Sequence, residues 1–139
     1  MIVVDASVVV TALADDGRDG DVIRQRLRGE RLVAPHVIDL EVTSAWRRMA
    51  SAGAFDGRRA DLALGDLLAI PLERVPHGPL LKRCWELRQN VTVYDAAYIA
   101  LAEVLEATLL TADRRLANAP GRRCAVEVVA SPSPSPHGP

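Results

Sequence analysis

The sequence predicts an α/β protein in which a mostly parallel central sheet is flanked by helices. Three observations support this fold class. Short apolar runs alternate with helical patterns along the whole chain, which is typical of parallel sheets. The first run, Ile2-Val3-Val4, shows no polar alternation, as expected of a strand buried on both faces. The 139 residues, 49% hydrophobic and 25% charged, suffice for one domain with a hydrophobic core.

The first half of the chain is divided by polar and glycine-rich breaks. Ser7 is placed to cap the first helix, Asp15 to Gly20 reads as a polar loop, and Gly29 ends the second helix. A third helix after Pro35 and a fourth, separated by a turn near Gly53, are predicted to form a helical hairpin. The predicted strands are 2–4 and 32–34, and the predicted helices are 7–13, 21–28, 36–51 and 56–69.

The second half repeats the alternation. Pro71 and Pro76 bracket a strand, and Pro120-Gly121 forms a turn before the last one. The predicted strands are 72–75, 108–111 and 125–129, and the predicted helices are 79–89, 95–107 and 113–119. The Ser/Pro-rich residues 131–139 offer nothing to bury, so residues 1–130 are expected to form the domain and residues 131–139 a disordered tail.

Composition and charge exclude several functional classes. The net charge of −1 does not indicate a polyanion-binding protein, so any nucleic-acid contact must be local. Uncharged stretches are too short to span a bilayer, and no secretory leader is visible, so no membrane association is expected. Cys84 and Cys124 lie 40 positions apart and make a poor disulfide framework, which favours a cytoplasmic location.

Three aspartates occupy positions where ligand sites of open α/β sheets are found. Asp5 ends the first strand and Asp113 follows the strand 108–111 by two residues, so both reach the carboxyl edge of the sheet if these strands are neighbours. Asp95 begins a strongly apolar helix, which should be buried. Each aspartate taken alone could equally be a helix cap.

Glu41 is harder to explain as an ordinary surface residue. At 100° per residue it falls on the apolar stripe of its helix, between Val37 and Ala45. A carboxylate on such a stripe is costly unless it is paired, and no basic residue lies one turn away. Something else should neutralise it, unless its side chain reaches the edge of the stripe or meets an arginine from another element.

Together these carboxylates indicate a site for a hard divalent cation. Asp5, Glu41, Asp95 and Asp113 would offer only oxygen ligands, which suit Mg²⁺ or Mn²⁺ and argue against structural zinc. No glycine-rich nucleotide-binding loop is present. A site of several carboxylates with bound Mg²⁺ is typical of enzymes that act on phosphoryl groups. The best hypothesis for the substrate is therefore a phosphodiester.

Further polar residues adjoin the acids. Three arginines could bind the phosphates of a nucleic acid: Arg48, on roughly the same helix face as Glu41, and the pair Arg114 and Arg115. They could also be ordinary solvated side chains. The hydroxyls of Ser7 and Thr111 are candidates to orient the acids or a water molecule, although helix capping would also explain Ser7.

Four segments in series resemble the PIN-domain nucleases, and most closely the VapC toxins of bacterial toxin–antitoxin pairs. They are Val3-Val4-Asp5-Ala6-Ser7, the helix segment Asp-Leu-Glu-Val-Thr-Ser-Ala-Trp-Arg-Arg with Glu41, Tyr-Asp-Ala-Ala-Tyr-Ile-Ala-Leu-Ala with Asp95, and Leu-Thr-Ala-Asp-Arg-Arg-Leu with Asp113. The resemblance covers residues 1–130.

The resemblance implies a PIN-like three-layer sandwich and a Mg²⁺- or Mn²⁺-dependent endoribonuclease. Asp5, Glu41, Asp95 and Asp113 would be its catalytic and metal-binding acids, and Thr111 a companion hydroxyl. It also implies an RNA substrate, a homodimer, and a VapB-like antitoxin that silences the toxin. The alternative is a catalytically idle PIN-like module that only binds a partner protein, and four intact acids favour the enzyme.

Overall fold

Five parallel strands form the central sheet, in the order β3-β2-β1-β4-β5. The structure is a computed structural model and describes residues 1–129. The strands are β1 (Ile2–Val4), β2 (Leu32–Pro35), β3 (Leu72–Val75), β4 (Thr108–Thr111) and β5 (Val126–Val128). The predicted parallel sheet is confirmed, whereas the prediction for residues 131–139 lies outside the described residues.

Helices occupy the connections between the strands. The α-helices are α1 (Ala6–Ala14), α2 (Arg18–Leu27), α3 (Ile38–Ser51), α4 (Gly57–Ala69), α5 (Leu81–Glu86), α6 (Val93–Leu105) and α7 (Arg114–Ala117), and a 3₁₀ turn spans Gly78–Leu80. Helix α1 packs against α2, α3 and α4, and the predicted α3–α4 hairpin is present. The α/β fold class is therefore as the sequence predicts.

Burial of the central strands shows that both faces of the sheet are covered. All residues of β1 and β2 are buried, and successive residues of a strand point to opposite faces. Helix α6 packs against β1, β2 and β4, and residues 96–102 of this helix are all buried. The core therefore forms three layers, with α6 as its most buried helix.

Several element boundaries differ from the predicted ones. Helix α2 begins at Arg18 and includes Gly20, where the sequence predicts a loop. A Cβ atom on Gly20 would lie 1.9 Å from the carbonyl oxygen of Asp15, so this glycine permits close packing and does not break the helix. The predicted helix 79–89 is divided into the 3₁₀ turn and α5, which ends at Glu86.

The pairing of β1 with β4 decides where the site forms. Val4 pairs with Leu110, so the chain leaves both strands at the same edge of the sheet. Strand β1 also pairs with β2 on its other side, so the connections diverge at this point, where ligands of such sheets bind. No helix within residues 1–129 is long and apolar enough to cross a membrane.

Candidate active site

Asp5 lies at the centre of the carboxyl edge, directly after β1. Its Oδ1 accepts a hydrogen bond from the backbone N–H of Ala6 at 2.8 Å, and so caps α1. Its Oδ2 accepts from the hydroxyls of Ser7 at 2.7 Å and Thr111 at 2.8 Å. Asp5, and not Ser7 as predicted, is the cap of α1, which leaves the Ser7 hydroxyl free to orient the acid.

The two hydroxyls also tie β1 to the segment that follows β4. Ser7 Oγ accepts from the backbone N–H of Ala112 at 3.0 Å, and Thr111 Oγ1 accepts from that of Asp113 at 3.0 Å. Each hydroxyl therefore accepts from one element and donates to Asp5. Thr111 is fully buried, so this arrangement fixes both the carboxylate of Asp5 and the position of Asp113.

Glu41 projects from the first turn of α3 toward α6, where it contacts Tyr98. The Tyr98 hydroxyl, whose side chain is fully buried, donates to Glu41 Oε1 at 2.5 Å. Burial raises the pKa of Glu41, the hydrogen bond from Tyr98 lowers it, and the charges of Asp5 and Asp95 raise it again, with a net increase. The hydrogen-bond partner that the structure gives this core-facing carboxylate is thus a neutral hydroxyl, and not an arginine.

Asp95 lies in the first turn of α6, two residues after the helix begins. Thr92 is the cap, and its Oγ1 accepts from the backbone N–H of Asp95 at 3.1 Å. The sequence predicts that the helix begins at Asp95, whereas it begins at Val93. Burial raises the pKa of Asp95, and the charges of Asp5 and Asp113 raise it further. Its ionised form is therefore disfavoured by like charges.

Asp113 has a counter-charge of its own. Its carboxylate caps α7 and accepts from Arg115, with Nη2 to Oδ2 at 2.8 Å. The side-chain hydrogen bond from Arg115 lowers the pKa of Asp113. Within residues 1–129, by contrast, neither Glu41 nor Asp95 forms an ion pair.

The four acids thus lie close enough for their charges to act on one another, but they do not form a closed ligand shell. In the described part of the chain, no group of three or more His, Cys, Asp or Glu side chains is arranged to hold one metal ion. Mg²⁺ commonly retains several waters and uses one or two carboxylates. The oxygen-only donors and their mutual repulsion fit such a hydrated cation.

The arginines predicted to bind phosphates line three surface clefts. One, of about 380 Å³, is lined by Glu41, Ser44, Arg48 and Tyr94, and Arg48 Nη1 donates to Ser44 Oγ at 3.1 Å. A second, of about 510 Å³, includes Asp95 and Arg115. Arg114 instead lines a cleft of about 300 Å³ beside Val128. Arg48 and Arg115 therefore each line a cleft that contains one of the acids, whereas Arg114 lines a cleft that contains none of the four.

Comparison with known proteins identifies the family. The PIN domain matches residues 2–122. This chain belongs to the PIN-domain family. Ribonuclease VapC9 from Mycobacterium tuberculosis is 44% identical over 132 residues, which cover 93% of this chain and 98% of the relative. Ribonuclease VapC1 from the same organism is 44% identical over 128 residues, which cover 91% and 96%. The chain is thus a PIN-domain protein of the VapC type.

A solved structure agrees with this assignment at the level of the fold. VapBC2 from Rickettsia felis, bound to a DNA fragment from its promoter, matches this PIN domain with a TM-score of 0.66. The match covers 92% of this chain and 98% of that chain at 15% sequence identity, so it supports the fold alone.

One residue of this PIN-domain site was missed by sequence reasoning. Tyr98 reads as one more apolar residue of a buried helix. It lies three positions after Asp95, however, so both side chains are on the same face of α6. That spacing could have placed Tyr98 beside Asp95, but it does not reveal the contact with Glu41, which lies 57 positions away.

Proposed function

We propose that this PIN-domain protein is the RNA-cleaving toxin of a toxin–antitoxin pair, and that it is a Mg²⁺- or Mn²⁺-dependent endoribonuclease. The names of the VapC9 and VapC1 relatives, both ribonucleases, support RNA cleavage. Metal dependence rests on the chemistry of the site. The residues that would carry the reaction are Asp5, Glu41, Asp95 and Asp113.

The observation that carries the proposal is the mutual repulsion of these acids. Glu41 and Asp95 are partly buried, both have a raised pKa, and the charge of Asp5 contributes to each increase. Such an arrangement is unfavourable for an apoprotein, and a divalent cation at the same edge relieves it. A module that only bound a partner protein would not need to bring these repelling carboxylates together.

Asp5, Asp95, Asp113 and Glu41 are the residues proposed to hold the cation, directly or through its waters. When bound, the cation would activate water and stabilise charge developing on the phosphate. The hydrogen bonds from Ser7 and Thr111 fix the orientation of the Asp5 carboxylate. Because these hydroxyls already orient the Asp5 carboxylate, it would not have to reorient during the reaction.

Glu41 is proposed to orient the attacking water and to accept its proton. Tyr98 occupies Oε1, so Oε2 remains to accept a proton. Its raised pKa brings the carboxylate closer to the working pH, where a general base is most effective. Arg48 and Arg115, which line the two clefts beside the acids, are proposed to bind flanking phosphates, and Arg114 to contact RNA farther along the chain.

Two partners belong to the same proposal. A VapB-like antitoxin is proposed from the family resemblance, and the name VapBC2 indicates that the Rickettsia felis neighbour is such a pair. A homodimer is proposed from the family resemblance, and sedimentation of the purified chain tests it directly.

Cleavage of total cellular RNA by the purified chain tests the proposed function. We expect cleavage with Mg²⁺ or Mn²⁺, none with EDTA, and none in Asp5→Asn, Glu41→Gln or Asp95→Asn variants that retain the native circular dichroism spectrum. Asp61→Asn, an exposed acid on α4, is the matched control and should cleave like the native chain. Absence of cleavage by the native chain under all metal conditions would favour the binding module.

A further inference from the structure

The cleft on the Asp95 side of the acids contains polar side chains that the proposed reaction does not use. It lies between the turn that joins α5 to α6 and helix α7, and its volume is about 510 Å³. Its polar lining includes Arg88, Gln89, Asn90, Asp95, Arg115 and Asn118. The volume falls in the range of small-molecule sites, and Asp95 connects the cleft to the catalytic acids.

At this cleft, the guanidinium of Arg88 is oriented by its neighbours but is not neutralised by a carboxylate of the described residues. Its guanidinium lies 4.3 Å from the ring centre of Trp85, and Nη1 donates to the carbonyl of Trp85 at 2.9 Å. In residues 1–129 it forms no ion pair with a carboxylate. An arginine that is oriented by an aromatic ring but not neutralised is suited to bind an anion such as phosphate.

Three amides supply groups that can read the edge of a base. Asn90 Nδ2 donates to the carbonyl of Pro120 at 3.0 Å, and Asn118 Nδ2 donates to that of Arg114 at 3.2 Å, so both amides are fixed against the walls. Within the described residues, the side chain of Gln89 makes no hydrogen bond and is exposed. Amides are the side chains that pair with unstacked bases in single-stranded RNA.

We propose that this cleft binds one unpaired nucleotide of the RNA, next to the phosphate that is cut. Arg88 holds the phosphate of that nucleotide, and Gln89, with the fixed amides, contacts its base. The inference rests on the proposed function, and it deepens it by assigning a specificity site to the turn between α5 and α6. A protein segment is disfavoured as the occupant because the lining is dominated by amides and arginines beside catalytic acids.

Salt-dependent RNA binding tests the phosphate contact. The probe is a fluorescein-labelled, random-sequence single-stranded RNA of about twelve nucleotides, bound to the non-cleaving Asp5→Asn chain with Mg²⁺ and followed by anisotropy. Removing one phosphate contact lowers the slope of log K against log salt by about 0.7, which is about fivefold in affinity at about 0.1 M salt. We expect this change for Arg88→Gln in that background.

Arg28→Gln is the matched control, because it removes the same charge from an exposed residue at the end of α2, beside the opposite edge of the sheet. It should leave the slope unchanged. An Arg88→Gln slope equal to that of its parent would overturn the phosphate contact, whereas equal loss in both variants would reveal only a general charge effect and would also overturn it.

Sequencing of cleavage ends tests the base contact. Total RNA is cut by chains carrying native Asp5, with Gln89 either native or replaced by Ala. We expect Gln89→Ala to change the frequency of one nucleotide next to the cut by about fivefold or more. Identical end profiles would overturn base reading, and weakened antitoxin binding with unchanged RNA binding would assign the cleft to the protein partner. If the native chain cuts no RNA, the proposed function itself fails.

Discussion

Replacement of Tyr98 by phenylalanine isolates the hydrogen bond that holds Glu41. The aromatic ring remains, so the packing of the fully buried side chain is preserved, and only the hydroxyl that donates to Glu41 Oε1 is lost. Burial and the charges of Asp5 and Asp95 would then act on Glu41 without this compensation, so its pKa should rise further.

The size of the effect follows from the charge and burial of Glu41. A hydrogen bond to a charged group contributes about 1.5 to 3 kcal/mol, and because Glu41 is only partly buried we expect a loss near about 1.5 kcal/mol at neutral pH. When Glu41 is protonated the bond joins neutral groups and is about half as strong. The loss should therefore be about half as large at acidic pH.

The sign of the pH dependence can be checked on Glu41 itself. Its folded-state pKa is raised, so the native state gains relative stability when Glu41 is protonated and loses it as the pH rises through the folded pKa. In the native chain Tyr98 opposes that loss. Tyr98→Phe should therefore lower the free energy of unfolding more at neutral pH than at about pH 4.

Urea unfolding of the metal-free chain in EDTA, at neutral and at acidic pH, measures this difference. Tyr94→Phe is the matched control, since Tyr94 is 61% exposed on the same helix and should tolerate the change at both pH values. A loss for Tyr98→Phe that is the same at both pH values, or larger at acidic pH, would refute the reasoning.

Three further predictions concern the same edge of the sheet. Thr111→Val should lower the free energy of unfolding by about 1 to 3 kcal/mol in urea, because the partly buried N–H of Asp113 and Oδ2 of Asp5 both lose a partner; Thr111→Ser should restore it. Arg115→Ala should strengthen Mn²⁺ binding a few-fold by calorimetry, because Asp113 loses its competing cation and its pKa returns toward the ordinary value. Expression without an antitoxin should arrest growth and Asp95→Asn should not, whereas harmless expression of an RNA-cleaving chain would contradict the toxin role.

The fold was largely predictable because each strand is a compact apolar run. Ile2-Val3-Val4 and Leu109-Leu110 are buried in the centre of the sheet, and their pattern alone indicates this. Asp5 and Asp113 could be placed at one edge once parallel pairing was assumed, and the pairing of β1 with β4 confirms that assumption.

What the sequence did not reveal depends on contacts between distant segments. The helical role of Gly20 follows from its close approach to Asp15, and glycine in a polar stretch otherwise indicates a loop. Asp5 and Ser7 are both good helix caps, and only the position of Thr111 and Ala112 shows which one caps α1.

The same limit applies to the site. The partner of Glu41 lies 57 positions away, on a helix whose composition indicates only burial. The cleft beside Asp95 brings together the α5–α6 turn and α7, which are separated in sequence by the whole of α6 and by β4. Neither arrangement leaves a local pattern that a single sequence can show.

Calorimetric titration of Mn²⁺ into the metal-free chain tests the central claim most directly, since the claim is that the gathered acids require a cation. The native chain and Asp61→Asn should bind Mn²⁺ alike, and Asp95→Asn should bind it at least about tenfold more weakly. No detectable binding by the native chain, or equal binding by the native chain and Asp95→Asn, would contradict the account.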